Sequence, residues 1–100
     1  MNIINKESLY QLLIQIPKGR VTSYKIIAEK MGIKAYRAVG KIIGKNRDFI
    51  NIPCHRVVNH NSNIGGYALG VEKKITLLKQ EGIIIKDYKI QNFQQKIYLF

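Results

Sequence analysis

The sequence predicts a mainly α single domain organised around a helix-turn-helix, with short β segments. Three observations carry that expectation. The chain has 100 residues, enough for one modest core and too few for two. Its first half repeats apolar residues at helical spacing, broken at Pro17-Lys18-Gly19 and again at Gly32. Its last stretch, GIIIKDYKIQNFQQKIYLF, leans toward strand.

The first helix is expected over Asn5–Ile16, where Leu9, Leu12, Leu13 and Ile16 share a face and Asn5 can cap the free N–H groups. A second helix starts at Thr22 or Ser23, both good caps, and runs through Ile26, Ile27 and Met31 to a stop at Gly32. The third segment, IKAYRAVGKIIGKN, sets Ala35, Ala38, Val39, Ile42 and Ile43 on one face. Lys34, Arg37, Lys41 and Lys45 lie opposite, with the small Gly40 among them. Two short helices, a glycine turn and a basic outer face outline a helix-turn-helix at about 22–45. Helical hairpins that never meet DNA share this outline.

Arg47–Asn63 lacks helical periodicity and is expected to be extended and looped, and NSNIGGYALG reads as a glycine-rich loop. Val71–Gln80 is helical again, with Val71, Ile75 and Leu78 on one ridge and Gly82 ending it. The tail then supplies a short terminal strand or two.

Composition narrows the function classes. No apolar run approaches the roughly 20 residues that span a membrane. The N-terminus alternates polar and apolar residues and has no signal-peptide core. One cysteine forms no internal disulfide, so a cytoplasmic setting is expected. Seventeen Lys and Arg against six Asp and Glu leave a net charge of +11 and a pI near 10.0. Such an excess favours polyanions, because each neutralised phosphate releases counterions. Simple solubilisation by lysine is the competing account of that charge.

The chemistry concentrates in Ile50–Asn61, INIPCHRVVNHN, which holds Cys54 and both histidines, His55 and His60. A cysteine reacts as its thiolate and needs a base or a positive environment. On these residues alone Cys54 is an inert small hydrophobe, a metal ligand or a nucleophile. Zinc fits poorly, since Cys54, His55 and His60 match no common ligand spacing. One carboxylate stands out. Glu81 falls three residues after Leu78, on the ridge that helix would bury, and a buried carboxylate needs a partner. A histidine bonded to Glu81 would supply that partner and an activating base.

IPCHRVV closely resembles the active-site motif of the O6-alkylguanine-DNA alkyltransferases, which move an alkyl group from guanine onto a cysteine. KGRVTSYKIIAEKMG, RAVGKIIGKN, GGY and LLKQEG follow that family's order and spacing, so the resemblance runs from about Ser8 to Gly82. It implies the fold of the family's winged helix-turn-helix half. The active-site segment is then 46–70 within one domain over 1–100. Cys54 matches the alkyl acceptor, His55 the base that works through a water, and Glu81 the carboxylate orienting it. Asn46 matches the asparagine that joins the two DNA-binding helices and steadies the site. Tyr24 matches the tyrosine that drives base rotation and protonates the departing guanine. Arg37 matches the arginine finger that fills the gap left by the rotated nucleotide.

Further implications concern the partner and the pocket. The recognition helix is expected in the minor groove of duplex DNA carrying O6-alkylguanine, where small Ala38 and Gly40 allow a close approach. Lys34, Lys41 and Lys45 would contact phosphates. Tyr67, Ala68 and Val57 are the expected alkyl-pocket residues. Transfer needs no cofactor and no metal, and a monomer is expected. The pocket loop reads Tyr67-Ala68-Leu69-Gly70 where the family commonly has Tyr-Ser-Gly-Gly, so a hydroxyl is lost at Ala68. The N-terminal domain of larger members has no counterpart in these residues. Two alternatives remain: a lesion-binding sensor with weak or no transfer, and a small transcription factor using Cys54 as a switch.

Overall fold

A computed structural model describes residues 5–100. Helix α1 spans Lys6–Gln15, and its Asn5 cap accepts from the N–H groups of Glu7 at 2.9 Å and Ser8 at 3.1 Å. Leu9, Leu13 and Ile16 are fully buried along one side, the face that the spacing predicts. Gly19, at φ +84°, makes the turn that follows Pro17.

Two short helices come next, α2 over Tyr24–Lys30 and α3 over Tyr36–Ile43, packed against each other. Ser23 caps α2 by accepting from Ile26 N–H at 3.1 Å. Thr22 takes a different role from the one expected. With Ser23 it forms strand β1, paired in parallel with β2, Val57–Val58, in the register Thr22 to Val57 and Ser23 to Val58. A β-branched residue buried to 0% exposure is better placed in a strand than at a solvated cap. The apolar face of α3 is also narrower than the spacing suggests. Val39 and Ile43 are buried, Ala38 and Ile42 are half-buried, and Ala35 sits exposed at the cap position before the helix begins.

Helix α4, Val71–Gln80, has the predicted bounds. Gly70 enters it at φ +96°, a conformation costly for any side chain. A hairpin of β3, Ile85–Lys86, and β4, Lys89–Ile90, forms the wing, followed by the single turn α5, Phe93–Lys96. Tyr98 N–H then donates to Val21 at 2.7 Å and ties the tail beside β1.

Two apolar clusters hold these elements. One joins α1, α2 and α3 through Leu9, Leu13, Ile27, Val39 and Ile43, and it includes Cys54 and Val57. The other joins Val21, Val58, Leu78, Ile83 and Ile90 under the wing. Each fully buried Leu, Ile or Val contributes about 1.5–3 kcal/mol relative to exposure. The β1–β2 pair lies between the clusters and sends Val57 into one and Val58 into the other, as strand alternation requires.

Candidate active site and nucleic-acid interface

The segment after α3 is extended and looped as expected, with one exception. After Pro53, residues Cys54–Arg56 wind into a single 3-10 turn. That turn lets three consecutive side chains do different things. Cys54, 4% exposed, borders a cavity of about 320 Å³, whereas His55 and Arg56 both reach Glu81. Tyr24 and Gly40 of the helix-turn-helix and Tyr67 and Ala68 of the glycine-rich loop border the same cavity. The reactive sulfur thus sits beneath the helices expected to meet DNA.

Asn46, 3% exposed, fixes the sulfur. Its Nδ2 donates to Cys54 Sγ at 3.3 Å and to Ile52 O at 3.3 Å, while its Oδ1 accepts from Asp48 N–H at 2.9 Å. Burial pushes the Cys54 thiol above its ordinary range, and the Asn46 hydrogen bond and the Lys74 charge pull it partly back. The resting group is therefore the thiol, and attack requires a base.

His55 is the candidate for that base. His55 Nε2 lies 3.0 Å from Glu81 Oε2, and His55 Nδ1 is buried with no hydrogen-bond partner among the described residues. Burial holds the His55 imidazole below its ordinary pKa, although the bond to Glu81 opposes this, so the ring is neutral near pH 7. Burial also raises the Glu81 carboxyl, but hydrogen bonds from Arg56 and His55 outweigh it and hold the group below its usual range. Glu81 caps the end of α4 and points inward, consistent with its place on the Leu78 ridge.

Sequence reasoning missed two residues here. Arg56 grips Glu81 with two nitrogens, Nε to Oε1 at 2.9 Å and Nη2 to Oε2 at 2.6 Å, and donates Nη1 to Ile16 O at 2.7 Å. Its adjacency to His55 was the available signal. Lys74 is fully buried, and its Nζ donates to Val57 O at 2.6 Å and Gly66 O at 3.0 Å. Burial lowers its pKa to about 7. Lys74 lies on the same α4 ridge as Leu78, so the reasoning applied to Glu81 would have found it.

Val57 is a correction. It does not border the cavity but is fully buried in β2, where its carbonyl serves Lys74. The strand pairing with Thr22 turns it into the core. Tyr67 borders the cavity, with its hydroxyl buried and unpartnered among the described residues. Burial and the nearby Cys54 push that phenol up to about 12, so it is a neutral donor. Tyr24 is half-buried, and burial raises its phenol as well. Lys34, Arg37, Lys41 and Lys45 are all exposed on the outer side, and Gly40 and the half-buried Ala38 lie between them. His60 stands apart from Cys54 and bonds the α2 cap, with Nδ1 3.0 Å from Ser23 Oγ.

A helix-turn-helix lies over a buried cysteine, with an asparagine on the sulfur and a His–Glu–Arg cluster behind it. Residues 5–83 match the family model of the 6-O-methylguanine DNA methyltransferase DNA binding domain, and the chain belongs to that family. It is 44% identical over 80 residues to the methylated-DNA–protein-cysteine methyltransferase of Saccharolobus solfataricus, covering 80% of this chain and 52% of that protein. It is 43% identical over 93 residues to a bifunctional methyltransferase/endonuclease of Picrophilus torridus, covering 85% of this chain and 31% of that one. The chain thus spans about half or less of these curated relatives.

Solved structures agree on the fold. S. pombe Atl1, in complex with damaged DNA containing O6-carboxymethylguanine, superposes with a TM-score of 0.82 at 25% identity over 93% of both chains. Mycobacterium tuberculosis OGT in complex with DNA gives 0.75 at 35% identity, over 82% of this chain and 51% of that one.

Proposed function

We propose that the chain repairs DNA by direct reversal, taking the alkyl group of O6-alkylguanine onto Cys54 in a single turnover. The observation that carries this is Cys54 Sγ, held by Asn46 at 3.3 Å on the border of a cavity shared with Tyr24 and Gly40. The O6 atom of a stacked guanine cannot reach a buried sulfur, so the nucleotide must rotate out of the helix. Two observations support this reading: Tyr24 borders the cavity, and Arg37 is exposed on α3, free to fill the gap. The small Gly40 and Ala38 suit close approach of α3 to the minor groove.

His55 Nδ1 takes the Cys54 proton through a bridging water, while Glu81 holds Nε2. The thiolate attacks the alkyl carbon, the C–S bond forms as the C–O6 bond breaks, and the electron pair stays with guanine. Tyr24, kept as a neutral phenol by burial, supplies the proton that guanine gains. The thioether has no hydrolytic exit, so each molecule acts once, without cofactor or metal and as a monomer. Among the described residues no helix is long and apolar enough to cross a membrane. A reducing compartment such as the cytoplasm suits an acceptor that must stay a free thiol.

Weighing the intact protein after incubation with an O6-methylguanine duplex tests the reading. Wild type gains the mass of one methyl group, and Cys54→Ser gains none. Tight binding with unchanged wild-type mass would leave only a lesion sensor.

A further inference from the structure

A second cavity, of about 270 Å³, opens between α2 and α3 on the outer side of the helix-turn-helix. It borders Tyr24 and Gly40, as the acceptor cavity does, but not Cys54, and it has no part in the chemistry described above. Tyr24 and Tyr36 give it two aromatic walls, and Lys25, Arg37, Asn59 and His60 supply polar and cationic groups around them.

Tyr36 sets its character. It opens α3 next to Arg37, is 42% exposed, and has no side-chain hydrogen bond or aromatic partner among the described residues. An exposed tyrosine alone is unremarkable. Here it walls a groove that combines a flat apolar surface with cations, the pairing that holds a base by its face and its phosphate by charge. His60 fits the polar half. Ser23 Oγ already accepts from Ile26 N–H, so its own proton is free to go to His60 Nδ1. In that tautomer the ring proton resides on Nε2, a donor available to a phosphate oxygen.

We propose that this groove is a nucleotide subsite separate from the alkyl pocket. Tyr36 stacks on one unstacked base of the bound DNA, and Lys25 and His60 hold the phosphate of that nucleotide. The proposal rests on the DNA-repair reading and adds a second point at which the strand is gripped.

The test uses O6-methylguanine duplexes with 2-aminopurine placed in turn at the positions flanking the lesion and opposite it. Wild type quenches 2-aminopurine at one of these positions by stacking. Tyr36→Ala releases the quench and weakens binding on the order of tenfold, the loss of one base–aromatic stack. Tyr36→Phe keeps both. Because Tyr36 is half exposed, a thermal melt of Tyr36→Ala matching wild type shows that the fold is intact. Unchanged affinity and unchanged quench in Tyr36→Ala overturn the subsite while leaving DNA binding standing. No affinity of wild type for either lesion-bearing or plain duplex overturns the DNA-binding reading and the subsite with it.

Discussion

Lys74 Nζ donates to the carbonyl of Val57 at 2.6 Å, fastening α4 to the strand that directly follows the Cys54 turn. The lysine is fully buried and no carboxylate meets it among the described residues, so both its bonds go to carbonyls. Its field reaches Cys54 and lowers the thiol pKa.

That arrangement predicts an unusual pH dependence of stability. The folded-state pKa of Lys74, about 7, lies below the ordinary lysine value of 10.5. Between those values the unfolded chain binds the proton and the folded chain does not, so stability rises with pH across this window. The slope attributable to one group approaches about 1.4 kcal/mol per pH unit. Lys74→Met should lose that slope relative to wild type in urea titrations between pH 7 and 10. Parallel curves would mean that Lys74 titrates as an ordinary lysine.

Glu81 predicts a dependence of the same sign, in a separate window at low pH. Its folded pKa is depressed, so its stabilisation is present above the unfolded carboxylate pKa and is lost as pH falls through the folded value. His55 adds to this, since a ring held neutral by burial disfavours the folded state once acid protonates it in the unfolded chain. Glu81→Gln strands Arg56 at a half-buried site and should cost about 3 kcal/mol at pH 7. The penalty should shrink toward pH 3, read from denaturation midpoints. A constant penalty would show that the charge on Glu81 is immaterial.

Lys41 and Lys45 test the interface. Lys41 is exposed on α3 and Lys45 is exposed just beyond its end. If each meets a phosphate, the double Ala variant should flatten the slope of log Kd against log salt by about 1.8. Transfer by prebound protein should be unaffected. An unaltered slope would assign the +11 charge to solubility alone.

Ala68 borders the acceptor cavity and offers no hydroxyl. Ala68→Ser restores a donor near the guanine O6, and one added hydrogen bond of about 1 kcal/mol corresponds to roughly fivefold faster methyl transfer. Single-turnover rates with an O6-methylguanine duplex measure it. A rate at or below that of Ala68 would place the loop's hydroxyl position away from the oxygen.

What the sequence disclosed follows from how local each signal is. Asn5 at a helix start and the Val71–Gln80 periodicity need only a few neighbours, and both are realised. The parallel β1–β2 pair joins residues 35 positions apart, and two-residue strands carry no periodicity to read. Hence Thr22 looked like a cap and Val57 like a pocket wall. Glu81 was legible because a charge on an apolar ridge demands a partner. Lys74 satisfied the same criterion, but lysine's long apolar stem makes such a position look ordinary. Arg56 shares its motif with Cys54 and His55, and its grip on Glu81 spans 25 positions that no local pattern links. The Cys54–Asn46 contact closes a loop that only the turn at Pro53 makes short enough.

The small β1–β2 ladder has a mechanical consequence. Ser23 leads directly into Tyr24 and α2, and Val57 leads directly out of the Cys54 turn. On the proposed function, the helices that would meet DNA and the turn that carries the alkyl acceptor share one short joint. A shift in how the duplex seats on α2 and α3 would then move the sulfur, so a poorly seated strand would misalign the attack instead of merely binding less well. Discrimination and reaction would be geared together, neither retuned without moving the other.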